Sequence, residues 1–288
     1  MVTWIWKSAN VLRLNHRILW LRNRIQTPME PGHLTVTYIG GPTALLEFGG
    51  LRLLTDPTFD PAGGEYKTGP VTLRKLAGPA LSLEALGSFD YVLLSHDHHF
   101  DNLDHAGRAA LARAKAVLTT EEGAQRLGAN SRGLKPWQSA DLPAPQGQAV
   151  RVVATPARHG PARLERGPVT GFALFPVDAP QRAIYISGDT VWYEGVAEVA
   201  QRLAIRVAIL NLGAARVPEV GPFHLTMTAS EAVQTAGAFP NATIVPLHFE
   251  GWAHFSEGRD DIARAFAAAG LTPRLCWPKP GEAIRIAL

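Results

Sequence analysis

The stretch Ser95-His96-Asp97-His98-His99-Phe100-Asp101-Asn102-Leu103-Asp104 places three histidines and three acids within nine residues, directly after the apolar run at 91–94. A neutral imidazole presents a lone pair at neutral pH, and carboxylates complete the same coordination sphere, so this density points to a transition-metal site. A strand end suits such a site because the backbone is held firmly while the loop beyond it lets neighbouring side chains converge. A plain polar loop, with Asp101 or Asn102 capping a helix that starts near Leu103, would account for the acids. It leaves the histidines unexplained.

The elements that must position these residues read as follows. Runs at 34–39, 44–48 and 51–54 alternate with period two, are separated by glycine pairs, and predict a β-meander. The meander closes on Thr55-Asp56-Pro57, where Asp56 either orients a ligand histidine or opens a turn. Residues 58–90, rich in Pro and Gly, predict a loop or short helices beside the site and are a candidate substrate-facing wall. Residues 103–118 predict an Ala-rich amphipathic helix running into a short strand, and 121–127 another helical turn. Further strands are expected at 148–154, 169–177, 182–187, 207–211, 244–247 and 282–286, with helices at 194–203, 227–239 and 260–269. Four strands close on a residue able to coordinate: His96, His159, Asp189 and His248. A sheet that brings those ends to one edge gathers all four. Singly, each has a plainer reading, such as a surface histidine, or Asp189 capping the helix near Glu194.

Composition limits the alternatives. At 288 residues, with 46% apolar and 18% charged residues, the chain is globular and can bury a large core. No apolar run reaches the roughly 18 residues needed to span a bilayer. The single cysteine, Cys276, excludes an internal disulfide and a multi-cysteine metal site, and fits a cytoplasmic location. The net charge of +3 is unevenly placed: Lys7, Arg13, Arg17, Arg22 and Arg24 precede the first acid, Glu30. Removing those five from the 28 basic residues leaves 23 against 25 acidic ones, so no nucleic-acid partner is expected. Residues 1–28 read as a basic amphipathic N-terminal extension, a helix that packs on the domain or a partner or contacts a membrane surface, ahead of one domain over 29–288.

At Thr55-Asp56-Pro57, Ser95-His96 through Asp104, Ala157-Arg158-His159, Ser187-Gly188-Asp189-Thr190, and Pro246-Leu247-His248 with Trp252-Ala253-His254-Phe255, the chain resembles the metallo-β-lactamase superfamily. Within it, it is most similar to the branch containing L-ascorbate-6-phosphate lactonase and N-acylphosphatidylethanolamine phospholipase D. The resemblance implies an α+β fold, a four-layer αββα sandwich. It also implies one or two zinc ions, or manganese, held by His96, His98 or His99, Asp101, His159, Asp189 as bridge and His248. The superfamily signature His-x-His-x-Asp-His does not fit directly. Read from the left, His96 and His98 fit and Asp101 falls one residue late; read from the right, His99 and Asp101 fit and His96 falls one residue early. One residue has been inserted, and Asn102 stands where the superfamily has a second-site histidine, which weakens that site for a borderline metal. His224, ahead of a helix, matches a substrate-facing position, or is a helix-start histidine with local hydrogen bonds.

The chemistry expected is hydrolysis by a metal-bound hydroxide, with Asp101 helping to orient it, on an ester, phosphodiester or lactone. No Gly-x-Ser-x-Gly elbow or Gly-rich phosphate loop competes with that reading. The substrate is a small molecule, anionic if Arg158, Arg216 or Lys67 faces it. Two other classes stand beside it: a degenerate metal-binding domain without activity, and a lipid phosphodiesterase anchored through residues 1–28.

Overall fold

The computed structural model describes residues 32–128, 130–145 and 148–288. The expected extension over residues 1–28 lies outside the described residues. The described chain runs β1 (His33–Gly40), β2 (Thr43–Phe48), β3 (Leu51–Thr55), β4 (Glu65–Thr68), β5 (Val71–Arg74), β6 (Tyr91–Leu93), β7 (Ala116–Thr119), β8 (Ser131–Gly133), β9 (Ser139–Leu142), β10 (Val150–Pro156), β11 (Thr170–Pro176), β12 (Ala183–Ile186), β13 (Ile205–Asn211), β14 (Thr243–Leu247) and β15 (Ala283–Ala287).

The meander β1–β2–β3 forms as its alternation requires: Leu34, Val36 and Tyr38 of β1 all point into one core. Its second turn, Gly49-Gly50, needs glycine, because φ is 57° at Gly49 and a Cβ there would meet Val150 Cγ2 at 2.5 Å. The meander joins a seven-stranded sheet, β15-β1-β2-β3-β6-β7-β8, and a six-stranded sheet, β14-β13-β12-β11-β10-β9, stands against it. Leu46, Leu53 and Leu93 of the first meet Val152, Phe172, Ile184, Val207 and Val245 of the second in the core between them. At about 1.5–3 kcal/mol per fully buried large apolar side chain, this layer dominates the favourable side of folding.

Helices cover the outer faces. Glu194–Arg202, Ala229–Ala238 and Arg259–Ala268 lay Val196, Val199, Ala232, Ile262 and Phe266 on the second sheet. Leu86, Leu103, Ala110 and Leu111 cover the first. This is the αββα sandwich. Among the described residues, no helix is long and apolar enough to cross a membrane.

Local expectations are refined or corrected. The Ala-rich helix expected to run into a short strand over 103–118 is His105–Ala110, shorter than the range suggests, followed by a 3-10 turn at Leu111–Arg113 and then the strand, β7. Its cap is Asp104, whose carboxylate accepts the Gly107 N–H at 2.8 Å, so neither Asp101 nor Asn102 caps it. Close docking of this helix sets its position, since a Cβ on Gly107 would fall 1.8 Å from the Pro57 carbonyl oxygen. Within 58–90 the structure adds a hairpin, β4–β5, to the short helix Leu83–Leu86. Tyr66 is the buried residue of β4, and in β5 Val71 and Leu73 alternate with exposed Thr72 and Arg74 and are half-buried against Ala215, Val217 and Leu225. Asp189 does not cap the helix Glu194–Arg202, whose N-cap is Tyr193.

Candidate metal centre

β12, β13 and β14 are mutually parallel, and β10 runs the same way through the antiparallel β11. His159, Asp189 and His248 follow the carboxyl ends of β10, β12 and β14, Asn211 ends β13, and Asp56 and His96 follow the parallel β3 and β6. Their side chains meet at one edge. Two of these residues sit in the left-handed region, Asp56 at φ 27° and His248 at φ 54°, a conformation costing on the order of 1–3 kcal/mol that persists where surrounding structure enforces it.

The imidazoles form one group. His99 Nδ1 lies 3.0 Å from His96 Nε2 and 3.2 Å from His159 Nε2. His99 Nδ1 carries at most one proton and His159 Nε2 carries none, because the His159 proton is on Nδ1, so the two contacts cannot both be full hydrogen bonds, whereas a cation among them would satisfy all three nitrogens. Neighbours fix the tautomers. The Leu225 carbonyl accepts from His159 Nδ1 at 2.9 Å, which makes Nε2 the lone-pair nitrogen. The Arg166 carbonyl accepts from His98 Nε2 at 2.7 Å, which leaves its Nδ1 as a lone pair. His96 Nδ1 is 2.9 Å from the Ser95 hydroxyl. These are the outer partners that orient a coordinating histidine.

Beside them lie the carboxylates. Ligand atoms of Asp101, Asp189 and His248 all fall within 4.8 Å of one another, as do those of His96, His159 and Asp189, and of His96, His98 and His99. Asp189 therefore belongs to two groups at once. Its Oδ1 accepts from Asn211 Nδ2 at 2.8 Å and faces His248 Nδ1 at 3.0 Å. Asp101 Oδ2 lies 3.0 Å from His254 Nε2 and 3.6 Å from His248 Nε2.

Six buried polar atoms in this one place find no hydrogen-bond partner among the described residues: His98 Nδ1, Asp101 Oδ1, Asn102 Oδ1, Asp189 Oδ2, His248 Nε2 and His254 Nδ1. Buried polar atoms are normally satisfied, and a cluster of orphans made of three imidazole nitrogens, two carboxylate oxygens and one amide oxygen fits a divalent cation.

The electrostatics agree. Burial drives His96 and His99 well below the ordinary imidazole range and lowers His98 as well, so these rings are neutral and able to coordinate. Burial would raise Asp189, but the charge of His248 and its hydrogen bond, with His159 and His96, hold it well below the carboxylate range. Asp101 is lowered against burial by His254 and His248. His248 rises against burial through Asp189, Asp101 and Asp56. Asp56 is pushed up to about 7 by burial and by the charge of Asp189.

A network holds the loop. Asp97, bound by Arg126 Nε at 2.9 Å, anchors the turn behind His98, and Arg108 donates to the Asp97 carbonyl at 2.9 Å. Asp104 accepts from Phe59, Asp60 and Gly107 backbone N–H groups and from Lys75 Nζ at 2.7 Å. Tyr66 of the hairpin packs on Phe100 at 5.1 Å and Trp252 at 5.3 Å, forming an aromatic wall.

A family model described as a beta-lactamase superfamily domain matches residues 51–249. The chain belongs to the β-lactamase superfamily. This superfamily member is a metal-dependent hydrolase. It is 24% identical to a UPF0173 metal-dependent hydrolase of Pyrobaculum arsenaticum over 88% of its own length and 100% of the relative's. It is 31% identical to the uncharacterized protein Rv0906 of Mycobacterium tuberculosis, over 72% of this chain and 51% of that one. Among solved structures, it superposes on the isothiocyanate hydrolase from Delia radicum gut bacteria with a TM-score of 0.75 and 25% identity, covering 88% of this superfamily member and 100% of that chain.

The structure thus brings together His96, His98, His99, Asp101, His159, Asp189 and His248. His224 is apart from them: its Nε2 pairs with Glu231 at 3.0 Å, and only the neighbouring Leu225 carbonyl reaches His159. Asp56 orients no histidine; its Oδ1 accepts the Ser95 N–H at 2.6 Å and its Oδ2 faces Asn102 Nδ2 at 3.5 Å. Sequence reasoning gave no role to Asn211 or His254. Asn211 carried a usable signal, since it ends a strand parallel to the two that precede Asp189 and His248.

Proposed function

We propose that this hydrolase holds one or two divalent cations, zinc before manganese, and cleaves a small organic carbon electrophile such as an ester, a lactone or an isothiocyanate. The reading rests on the six partnerless buried atoms at the strand ends. His96 Nε2, His159 Nε2 and the Nδ1 of His98 or His99 would form one place, and Asp101 and His248 the other, with Asp189 shared. Mixed imidazole and carboxylate donors suit zinc. A cation bound here would lower the pKa of its water towards about 7 and polarise the bond at the electrophilic carbon, through oxygen in an ester or lactone and through a heteroatom of the N=C=S group in an isothiocyanate. The chain does the rest. Asn211 and the Leu225 carbonyl hold Asp189 and His159 in register, and Asp101 Oδ1 is a buried free acceptor able to orient a water.

Two observations support a carbon electrophile. The rim is aromatic, and nearby cations are engaged: Arg126 on Asp97, Lys75 on Asp104, and Arg158 over the Tyr193 ring at 4.3 Å. A structural neighbour at 25% identity is an isothiocyanate hydrolase, whose substrate presents an electrophilic central carbon. A phosphodiester is the second reading, favoured by Arg166, half-buried and close enough for its charge to depress His99. Comparing kcat/KM for p-nitrophenyl butyrate, benzyl isothiocyanate and bis(p-nitrophenyl) phosphate tests the choice. A carbon electrophile is expected to win by at least about tenfold. Preference for the phosphodiester selects the second reading, and turnover of none by cation-loaded protein sinks both.

A further inference from the structure

Asn102 sits where a second-site imidazole would be expected, and its side chain is turned inward to Asp56, with Nδ2 3.5 Å from Oδ2. Asp101 Oδ2, meanwhile, lies between two imidazoles, His248 Nε2 at 3.6 Å and His254 Nε2 at 3.0 Å. We propose that His254 supplies the imidazole that Asn102 cannot, as a ligand of the second cation beside Asp101 and His248. The inference rests on the metallohydrolase reading above.

Three features carry it beyond proximity. The His254 side chain is only 9% exposed, and its Nδ1 is a buried atom with no partner among the described residues, so no second hydrogen bond explains why a histidine is kept here. The backbone on both sides is clamped: Ala253 N–H donates to the Arg74 carbonyl at 3.0 Å, and Arg216 N–H donates to the His254 carbonyl at 2.8 Å. The ring is also boxed by aromatic neighbours, with Phe255 4.7 Å and Trp252 6.2 Å away between centroids. Pre-organisation of this kind is what a ligand needs and a solvated loop histidine lacks. Two donor atoms on one cation, each about 2.0–2.2 Å from it, lie roughly 3–3.5 Å apart, which the 3.0 Å contact meets.

A hydrogen bond that merely orients Asp101 has the same length, so the test separates the two. Full-length protein is saturated with zinc, its metal content measured by mass spectrometry, and the weaker equivalent titrated with a competing chelator; cobalt-loaded protein gives the visible spectrum of each place. Wild type is expected to hold two equivalents. His254→Ala is expected to keep the tight one, to weaken the other more than about 100-fold, beyond the 10–100-fold typical of an outer partner, and to change the second cobalt spectrum. Adding Asn102→His is expected to restore it, and His254→Gln guards against simple misfolding. Two equivalents in His254→Ala, with affinity within threefold of wild type or an unchanged second cobalt spectrum, overturns the assignment. A single equivalent in wild type overturns it while leaving the hydrolase reading intact, whereas none removes both.

Discussion

Replacing Lys75 with methionine tests the scaffold beneath the metal-binding loop. Lys75 and Asp104 form a buried ion pair, 3% and 0% exposed, with Nζ 2.7 Å from Oδ2. Asp104 stands two residues beyond Asn102, and its other contacts tie residues 59 and 60 to the helix His105–Ala110. Removing one partner of such a pair leaves a buried charge and costs about 3–5 kcal/mol. The three backbone N–H donors that remain on Asp104 offset part of this. Loss of the Lys75 contact over the Trp252 ring, 5.5 Å from its centroid, restores about 0.5–2 kcal/mol to the cost. At about 2–4 °C per kcal/mol for a domain of this size, the melting temperature of cation-loaded protein should fall by roughly 6–20 °C. Asp104→Asn should destabilise similarly, and the double variant by clearly less than the sum, with about 2 kcal/mol of coupling. Urea denaturation of the four proteins measures this. A loss under about 1 kcal/mol for Lys75→Met, or strict additivity, would show that the pair does not hold the loop.

Other outcomes follow from the same geometry. Asn211→Ala removes the 2.8 Å bond to Asp189 and should lower cation affinity about 10–100-fold with little change in circular dichroism. Gly107→Ala should lower stability by more than about 3 kcal/mol or prevent folding, because the added methyl has only the Pro57 backbone to displace; soluble yield and urea midpoint report it. His224 is raised by its hydrogen bond and charge interaction with Glu231, and Glu231 is lowered despite burial. The raised imidazole contributes fully below its unfolded value, about 6.5, and fades as pH rises through its folded value; the lowered carboxylate contributes fully above about 4.3 and fades as pH falls through its own. His224→Ala should therefore cost most near pH 5.5 and least near pH 8.5. The partly exposed pair limits the difference to about 1 kcal/mol.

The centre was readable in the sequence because coordination uses few residue types and strands end abruptly. His96, His159, Asp189 and His248 each follow an apolar run, and those runs are the parallel and near-parallel strands whose ends share an edge. Period two in β1 and β2 gave the meander, and continuous apolar runs gave β13 and β14, which are buried on both faces. What failed depended on tertiary contact. The hairpin β4–β5 has only four residues in each strand, so the alternation of Val71 and Leu73 runs too briefly to mark a strand, and the Gly69-Pro70 turn is its other signal. The helix after the histidines holds only six residues before tightening into a 3-10 turn, and its position is set by Gly107 docking against Pro57, a constraint no periodicity displays. Asn211 and His254 are recognised only by their contacts, an amide on Asp189 and a ring beside Asp101, and neither lies in the histidine-rich stretch.

Metal content per chain is the most direct test of the centre, measured on protein purified without added metal and again after incubation with zinc or manganese, beside Asp189→Ala. One or two tightly held equivalents in the wild type, lost in the variant whose missing carboxylate belongs to both groups, is the predicted result. A folded wild type that retains no cation under any of these conditions would contradict it.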